Sequence, residues 1–146
     1  MTTLPLTTEI AIARPAEPVW AYIADYANDP KWRDGVRSMI PTPSGLVKMG
    51  TTTDEVLRAA GRTYRNLGLV TDVTSLSFRW RTTDGVDADG SRTVIPTGAT
   101  SCLVQLTLNV RLRGAQRLAA PMFRAMLQRT LTTDGERLKS VMEKAT

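Results

Sequence analysis

Glu55, Tyr64 and Arg65 supply a carboxylate, a phenol and a guanidinium on two alternating segments, "TTTDEVLR" and "TYRNLGLVTDV", joined across "AAGR". A hairpin turning around Ala59 to Gly61 sets Glu55 opposite Arg65, on the face that also carries Thr53, Leu57, Leu67 and Leu69. A register one residue away exposes both and turns Asp54, Tyr64 and Asn66 inward instead. An ion pair on an apolar wall is costly unless hydrogen-bonded, so in the first register it marks a site. On the outer face the same pair is an exposed cross-strand contact worth little. Inside a pocket the chemistry would be acid–base. A carboxylate in apolar surroundings has its pKa raised and can hold or remove a proton, while an arginine or tyrosine steadies an enolate oxygen.

Other chemistries are excluded by composition. The 146 residues contain no histidine and one cysteine, Cys102. A disulfide within the chain is therefore impossible, thiolate or imidazole metal sites are not expected, and every histidine-dependent triad is gone. No cofactor motif is present. Cys102 alternates with apolar neighbours and reads as a small buried residue. The net charge of +5 is spread over scattered arginines with 5% aromatics, and no helix-turn-helix or RNA-recognition signature occurs, so nucleic acid is not an expected partner. The sign suits an acidic protein partner or an anionic surface equally. "MTTLPLTTEI" lacks the basic start and apolar run of a secretory signal, and no stretch approaches the roughly 18 apolar residues of a membrane span. The expectation is a cytoplasmic single domain over residues 1–146, monomeric or dimeric, with 42% hydrophobic residues for its core.

The elements that would position these groups follow in order. "LTTEIAIA" reads as a half-buried strand, and "RPAEPVWAYIADY" as a helix with Pro15 at its start and Val19, Trp20 and Ile23 on one face. In "ANDPKWRDG", Asn28 or Asp29 would cap a second short helix ended by Gly35. Strands then succeed one another: "VRSMIP", the hairpin pair, "LSFRWRT", "SRTVIP", and residues 102 to 112. The Asp-Gly pairs at 84–85 and 89–90 read as turns. The last strand places Cys102, Val104, Leu106, Leu108 and Val110 on one face and Gln105, Thr107, Asn109 and Arg111 on the other, the pattern of an antiparallel sheet covered on one side. Residues 115 to 145 read as a long helix with Leu127, Leu131, Leu138 and Met142 near one stripe.

One strand, two short helices, about six further strands and a long C-terminal helix make a helix-grip order, α+β with about seven strands. On "ARPAEPVWAYIADYANDPKW", "VKMGTTT" and "LRGAQRLAAPMFRAMLQRTL" the chain resembles the START-like superfamily, in its bacterial polyketide cyclase/dehydrase and lipid-transport branch. The resemblance implies a curved sheet gripping the helix around a largely apolar cavity. Phe78, Trp80, Leu106 and Leu108 would face it from the strands, with Met122, Met126, Leu131 and Leu138 from the helix. Relatives carry a bulky aliphatic residue at the position of Gly135. An unbroken helix lacking that side chain would widen the cavity, and the competing reading is a kink. Two functions follow. One is a carrier or sensor of a lipid or polyketide-like molecule without chemistry. The other is a polyketide cyclase/dehydrase performing aldol ring closure and dehydration with Glu55, Arg65 and Tyr64, for which a basic surface suits docking of an acidic acyl-carrier protein.

Overall fold

A computed structural model describes residues 2–144. Seven strands form one antiparallel sheet in the order β1-β7-β6-β5-β4-β3-β2: β1 (Thr2–Ile12), β2 (Val36–Thr42), β3 (Thr52–Ala59), β4 (Arg62–Val73), β5 (Ser77–Asp84), β6 (Ala88–Gly98) and β7 (Ser101–Leu112). Helices α1 (Ala16–Ile23) and α2 (Asp29–Trp32), joined through a 3-10 turn at Tyr26–Asn28, follow β1. A second 3-10 turn, Gly114–Ala119, leads into α3 (Ala120–Lys144), about 37 Å long at the helical rise. This is the helix-grip arrangement.

Alternation decides which face is covered. Along β7, Cys102, Val104, Leu106, Val110 and Leu112 are buried, and across β1 Leu4, Leu6, Ile10 and Ile12 join them. Irregular pairing between β4 and β5, at Leu67/Gly68 and at Val70/Asp72, marks bulges, which bend a sheet. The apolar face closes over α1 through Val19 and Ile23 and over α3 through Leu138 and Met142.

Two local expectations change here. Asp89-Gly90 is not a turn but lies within β6, directly opposite Trp80. A Cβ on Gly90 would fall 2.8 Å from the Trp80 ring, so the glycine is the floor on which that indole lies. Neither Asn28 nor Asp29 caps α2 with its side chain. The Asn28 amide donates to the Tyr22 carbonyl, and the Asp29 carboxylate is drawn into the interior.

Gly135 sits inside an unbroken α3, as the spacing of its stripe predicts. It does not widen a cavity. A Cβ there would land on Ile10 Cδ1 and 2.9 Å from its Cγ1, so the absent side chain is the space into which Ile10 of β1 packs. The glycine sacrifices about 1 kcal/mol of helix propensity and gains a close helix–strand approach. All the buried residues of α3 (Asp134, Gly135, Leu138 and Met142) lie in its C-terminal half, so the helix is clamped at that end only.

Gly135→Leu is expected to lower unfolding stability by about 2 kcal/mol through overpacking. In an Ile10→Ala background the same change should cost at least about 1 kcal/mol less, because the space has been vacated. Urea denaturation of the four chains measures the coupling, and strict additivity would contradict this packing.

Candidate functional site

Where α3 stands off from the sheet, a cleft of about 800 Å³ opens. Its apolar wall includes Leu57, Trp80, Leu108, Phe123, Met126 and Leu127. Its rim is the β3–β4 hairpin at Ala59 and Ala60, the β5–β6 loop from Asp84 to Asp87, and the turn carrying Arg113 and Gln116. Arg33, Glu55 and Arg92 form its polar inner end.

That end is a chain of charges. Asp29, with no exposed surface, receives Arg92 through both carboxylate oxygens, at 3.0 Å from Nη1 and 2.7 Å from Nη2. Arg92 Nη1 also donates to the Ile23 carbonyl, and its guanidinium lies over the rings of Tyr26, Trp32 and Phe78 at 4.7, 4.9 and 5.6 Å from their centroids. Arg33, at the end of α2, donates from Nη1 to Asp29 at 3.0 Å and to Glu55 at 2.8 Å. The other oxygen of Glu55 accepts from the Asn66 amide at 3.0 Å, and Asn66 Oδ1 accepts from the Val86 amide at 2.9 Å. Two carboxylates meet two guanidiniums, so the cluster is neutral overall. Burial pulls the Arg33 guanidinium down, but the facing Glu55 and Asp29 outweigh it and hold the charge firmly. Arg92 balances in the same way, with Asp29 overcoming its burial. Arg33 spends one nitrogen on both carboxylates. Its Nη2 and Nε make no hydrogen bond among the described residues, although the residue lines the cleft.

The hairpin register is neither of the two considered. It pairs Glu55 with Asn66 and Val56 with Arg65, one step from the turn expected around Ala59 to Gly61, because Ala60-Gly61 forms a two-residue turn with φ of +51° and +74°. Glu55 and Asn66 therefore both face inward, while Arg65 and Asp54 face out and join at 2.7 Å. Arg65 is thus not the partner of Glu55, because an odd step along a strand reverses its face. Arg33 takes that place. Thr53, Leu57 and Tyr64 face inward with Glu55 and line the cleft. Leu67 and Leu69 alternate with buried Asn66, Gly68 and Val70 and so stand on the outer face, Leu67 touching only the rim region.

Of the other expected lining residues, Trp80, Leu108 and Met126 border the cleft. Phe78, Leu106 and Leu138 are buried in the solid core, and Leu131 packs against it. Met122 points to solvent at 63% exposure. The expectation that these five and Gly135 line a cavity is corrected by packing: Trp20 and Tyr26 cover Phe78, α3 from Leu131 onward packs tightly around Leu106, Gly135 and Leu138, and Met122 turns away from the cleft.

Asp29, Arg33, Arg92 and Asp134 went unrecognised as site residues in the sequence. A signal existed for three of them. Arg92 precedes inward-facing Val94 by two residues, and Asp29 and Arg33 are one helical turn apart. Asp134 is visible only in the fold. Buried on α3, it accepts from the Asp34 amide at 3.3 Å, and desolvation pushes its carboxyl up to about 6 despite the attraction of Arg33.

Sheet, helix and one-sided cleft define a START-like helix-grip protein. The chain belongs to the polyketide cyclase/dehydrase and lipid transport family, whose model matches residues 3–143. No curated protein sequence matches it. Among solved structures it is similar to a START superfamily protein from Mycobacterium smegmatis, with a TM-score of 0.83 at 16% identity over 97% of this chain and 99% of that one. It is also similar to the Zhui aromatase/cyclase from Streptomyces sp. R1128, with a TM-score of 0.82 at 14% identity over 98% and 95%. Norcoclaurine synthase from Thalictrum flavum, solved with dopamine and hydroxybenzaldehyde, gives 0.65 at 13% identity over 99% and 89%. At such identities the likeness is one of fold.

The raised Asp134 carboxyl has a direct consequence. The folded state holds this proton more tightly than the unfolded chain, whose aspartate ionises near 3.8. Its stabilising contribution is therefore complete below about pH 4 and is lost as pH rises through 6, to the extent of about 3 kcal/mol. Asp134→Asn should remove that slope, gaining stability relative to the parent at pH 7.5 and not at pH 4. Denaturant midpoints across this range provide the check, and parallel profiles for the two chains would contradict it.

Proposed function

We propose that the cleft binds a hydrophobic small molecule, lipid or polyketide-like, which the protein carries or senses without altering it. The observation that carries this reading is a cleft of about 800 Å³, within the span of small-molecule sites, with an apolar wall and a neutral polar inner end. The charge balance of Asp29, Glu55, Arg33 and Arg92 disfavours a second full anion there. The free Nη2 and Nε of Arg33 suit a carbonyl or hydroxyl oxygen, so the guest is an apolar body with a neutral oxygen at its buried end. The family's description includes lipid transport, which is consistent with this.

A second reading rests on Glu55. A carboxylate at the end of an apolar cleft, beside Arg33 donors that could hold an enolate oxygen and near the Tyr64 phenol, has the parts for aldol ring closure and dehydration. The neighbouring folds include an aromatase/cyclase. Against it, both Glu55 oxygens already accept hydrogen bonds, from Arg33 and Asn66, which makes the group a poor free base. Binding without chemistry is favoured for that reason.

Leu108→Trp, which adds bulk to the cleft wall, should weaken binding of a fluorescent fatty alcohol at least tenfold while leaving the melting temperature nearly unchanged. Unaltered affinity in that variant would move the ligand elsewhere. Glu55→Gln separates the two readings. It should retain fatty-alcohol binding, and loss of turnover on a poly-β-carbonyl substrate that the parent chain cyclises would install the second reading in place of the first.

A further inference from the structure

The rim of the cleft carries an unusual surface. Leu118 is 89% exposed in the 3-10 turn before α3, and Met122 is 63% exposed in the first turn of the helix. Pro121 and Ala125 are exposed beside them. The adjoining side of this same stretch, at Gln116, Phe123, Met126 and Leu127, lines the cleft. Large apolar side chains held out in solvent in a row are the informative exception on a protein surface.

The charges around them have one sign. No acidic residue occurs between Asp89 and Asp134. Arg117 and Arg129 accompany the apolar row, Arg129 seven residues after Met122 and so on the same helical stripe, and neither forms an ion pair among the described residues. Across the mouth, the tip of the β3–β4 hairpin adds Arg58 and Arg62, also without ion pairs, around the small residues Ala60 and Gly61. On the third side Asp87 is neutralised by Arg111 and Arg113, which leaves Asp84 as the one acid of that rim without an ion pair.

We propose that this rim docks on an anionic lipid bilayer, with Leu118 and Met122 inserted among the acyl chains and Arg58, Arg62, Arg117 and Arg129 set against the headgroup phosphates. A bilayer supplies what both features need, an apolar layer for the two side chains and a sheet of negative charge for the four arginines. An acidic protein answers the arginines but would need its own apolar depression to receive Leu118. The bilayer also explains why the surface surrounds the mouth. With the rim seated, an apolar guest passes between membrane and cleft without crossing water. That transfer role rests on the cleft taking a hydrophobic guest, while docking itself does not.

Sedimentation of the full chain with vesicles tests this. Vesicles of phosphatidylcholine containing about one third phosphatidylglycerol should bring the protein down, and phosphatidylcholine alone should not. Arg117→Gln with Arg129→Gln should weaken binding on the order of 25-fold, about fivefold for each charge. Leu118→Ser with Met122→Ser should weaken it at least tenfold, and since both residues are exposed their thermal unfolding should match the parent. Failure of the parent chain to sediment with anionic vesicles overturns the proposal. So does equal sedimentation of the serine variant, which would mean charge attraction without insertion, and so does capture by an acidic carrier protein with no binding to vesicles. A fluorescent fatty alcohol in vesicle-free solution keeps the two readings apart. The serine variant should bind it as the parent does, and a parent chain that sediments yet binds no fatty alcohol refutes the cleft reading alone.

Discussion

Asp29, with no exposed surface, meets Arg92 at the buried inner end of the cleft, and the geometry of the cleft follows from how that meeting is made tolerable. Taking two charges into an interior costs several kcal/mol per ion unless both are fully hydrogen-bonded. Here the carboxylate takes both arms of one guanidinium and one arm of another, and the guanidinium fills its remaining demand with the Ile23 carbonyl and a ring of aromatic faces. Each bond comes from a different element. Asp29 and Arg33 lie on and just after α2, Ile23 ends α1, Arg92 lies on β6, and Glu55 lies on β3. The network therefore ties both short helices to the middle of the sheet and to the strand next to its edge. Removing one partner of such a pair leaves an unpaired buried charge, typically a loss of about 3–5 kcal/mol.

This arrangement also explains why the interior is not solid. Planar charged groups with fixed hydrogen-bond directions do not rearrange to fill space as methionine and leucine do. Beyond Arg33 and Glu55 the sheet continues, but the short helices do not, and only α3 is available to cover it. That helix is held at its C-terminal half, where Gly135 admits Ile10, and its N-terminal half lies over Leu4, Val110 and Leu112 through half-buried Phe123 and Leu127. One end is clamped and the other is propped on apolar side chains, so the gap opens at the propped end. The same geometry turns Leu118 and Met122 outward, and the surface at the mouth and the space behind it have one origin.

The limits of sequence reading show most clearly at the β3–β4 hairpin. Alternation identified both strands, and it placed Thr53, Glu55 and Leu57 on one face correctly. It could not supply the register, because a turn at Ala60-Gly61 and a turn centred one half-step away differ only in whether Ala60 adopts a positive φ. That half-step exchanged Arg65 for Asn66 as the partner of Glu55. The role assigned to Arg65 then passed to Arg33, which is distant in the chain and adjacent only after α2 has folded onto β3.

Gly135 teaches the same lesson in a helix. Its place in the stripe Leu131, Gly135, Leu138, Met142 made an unbroken helix legible, but a missing side chain reads equally as a void or as room for a neighbour. What the chain determined alone were properties that travel along it: the order and type of elements, the covered face of β7, and the exclusion of histidine and disulfide chemistry. Those are local, set by side-chain period and residue type. Which charges meet, where space remains and which apolar residues stay in water were decided only by tertiary structure. Each depends on the separation between elements far apart in sequence, and a shift of one residue or a few ångströms changes the answer without changing the pattern.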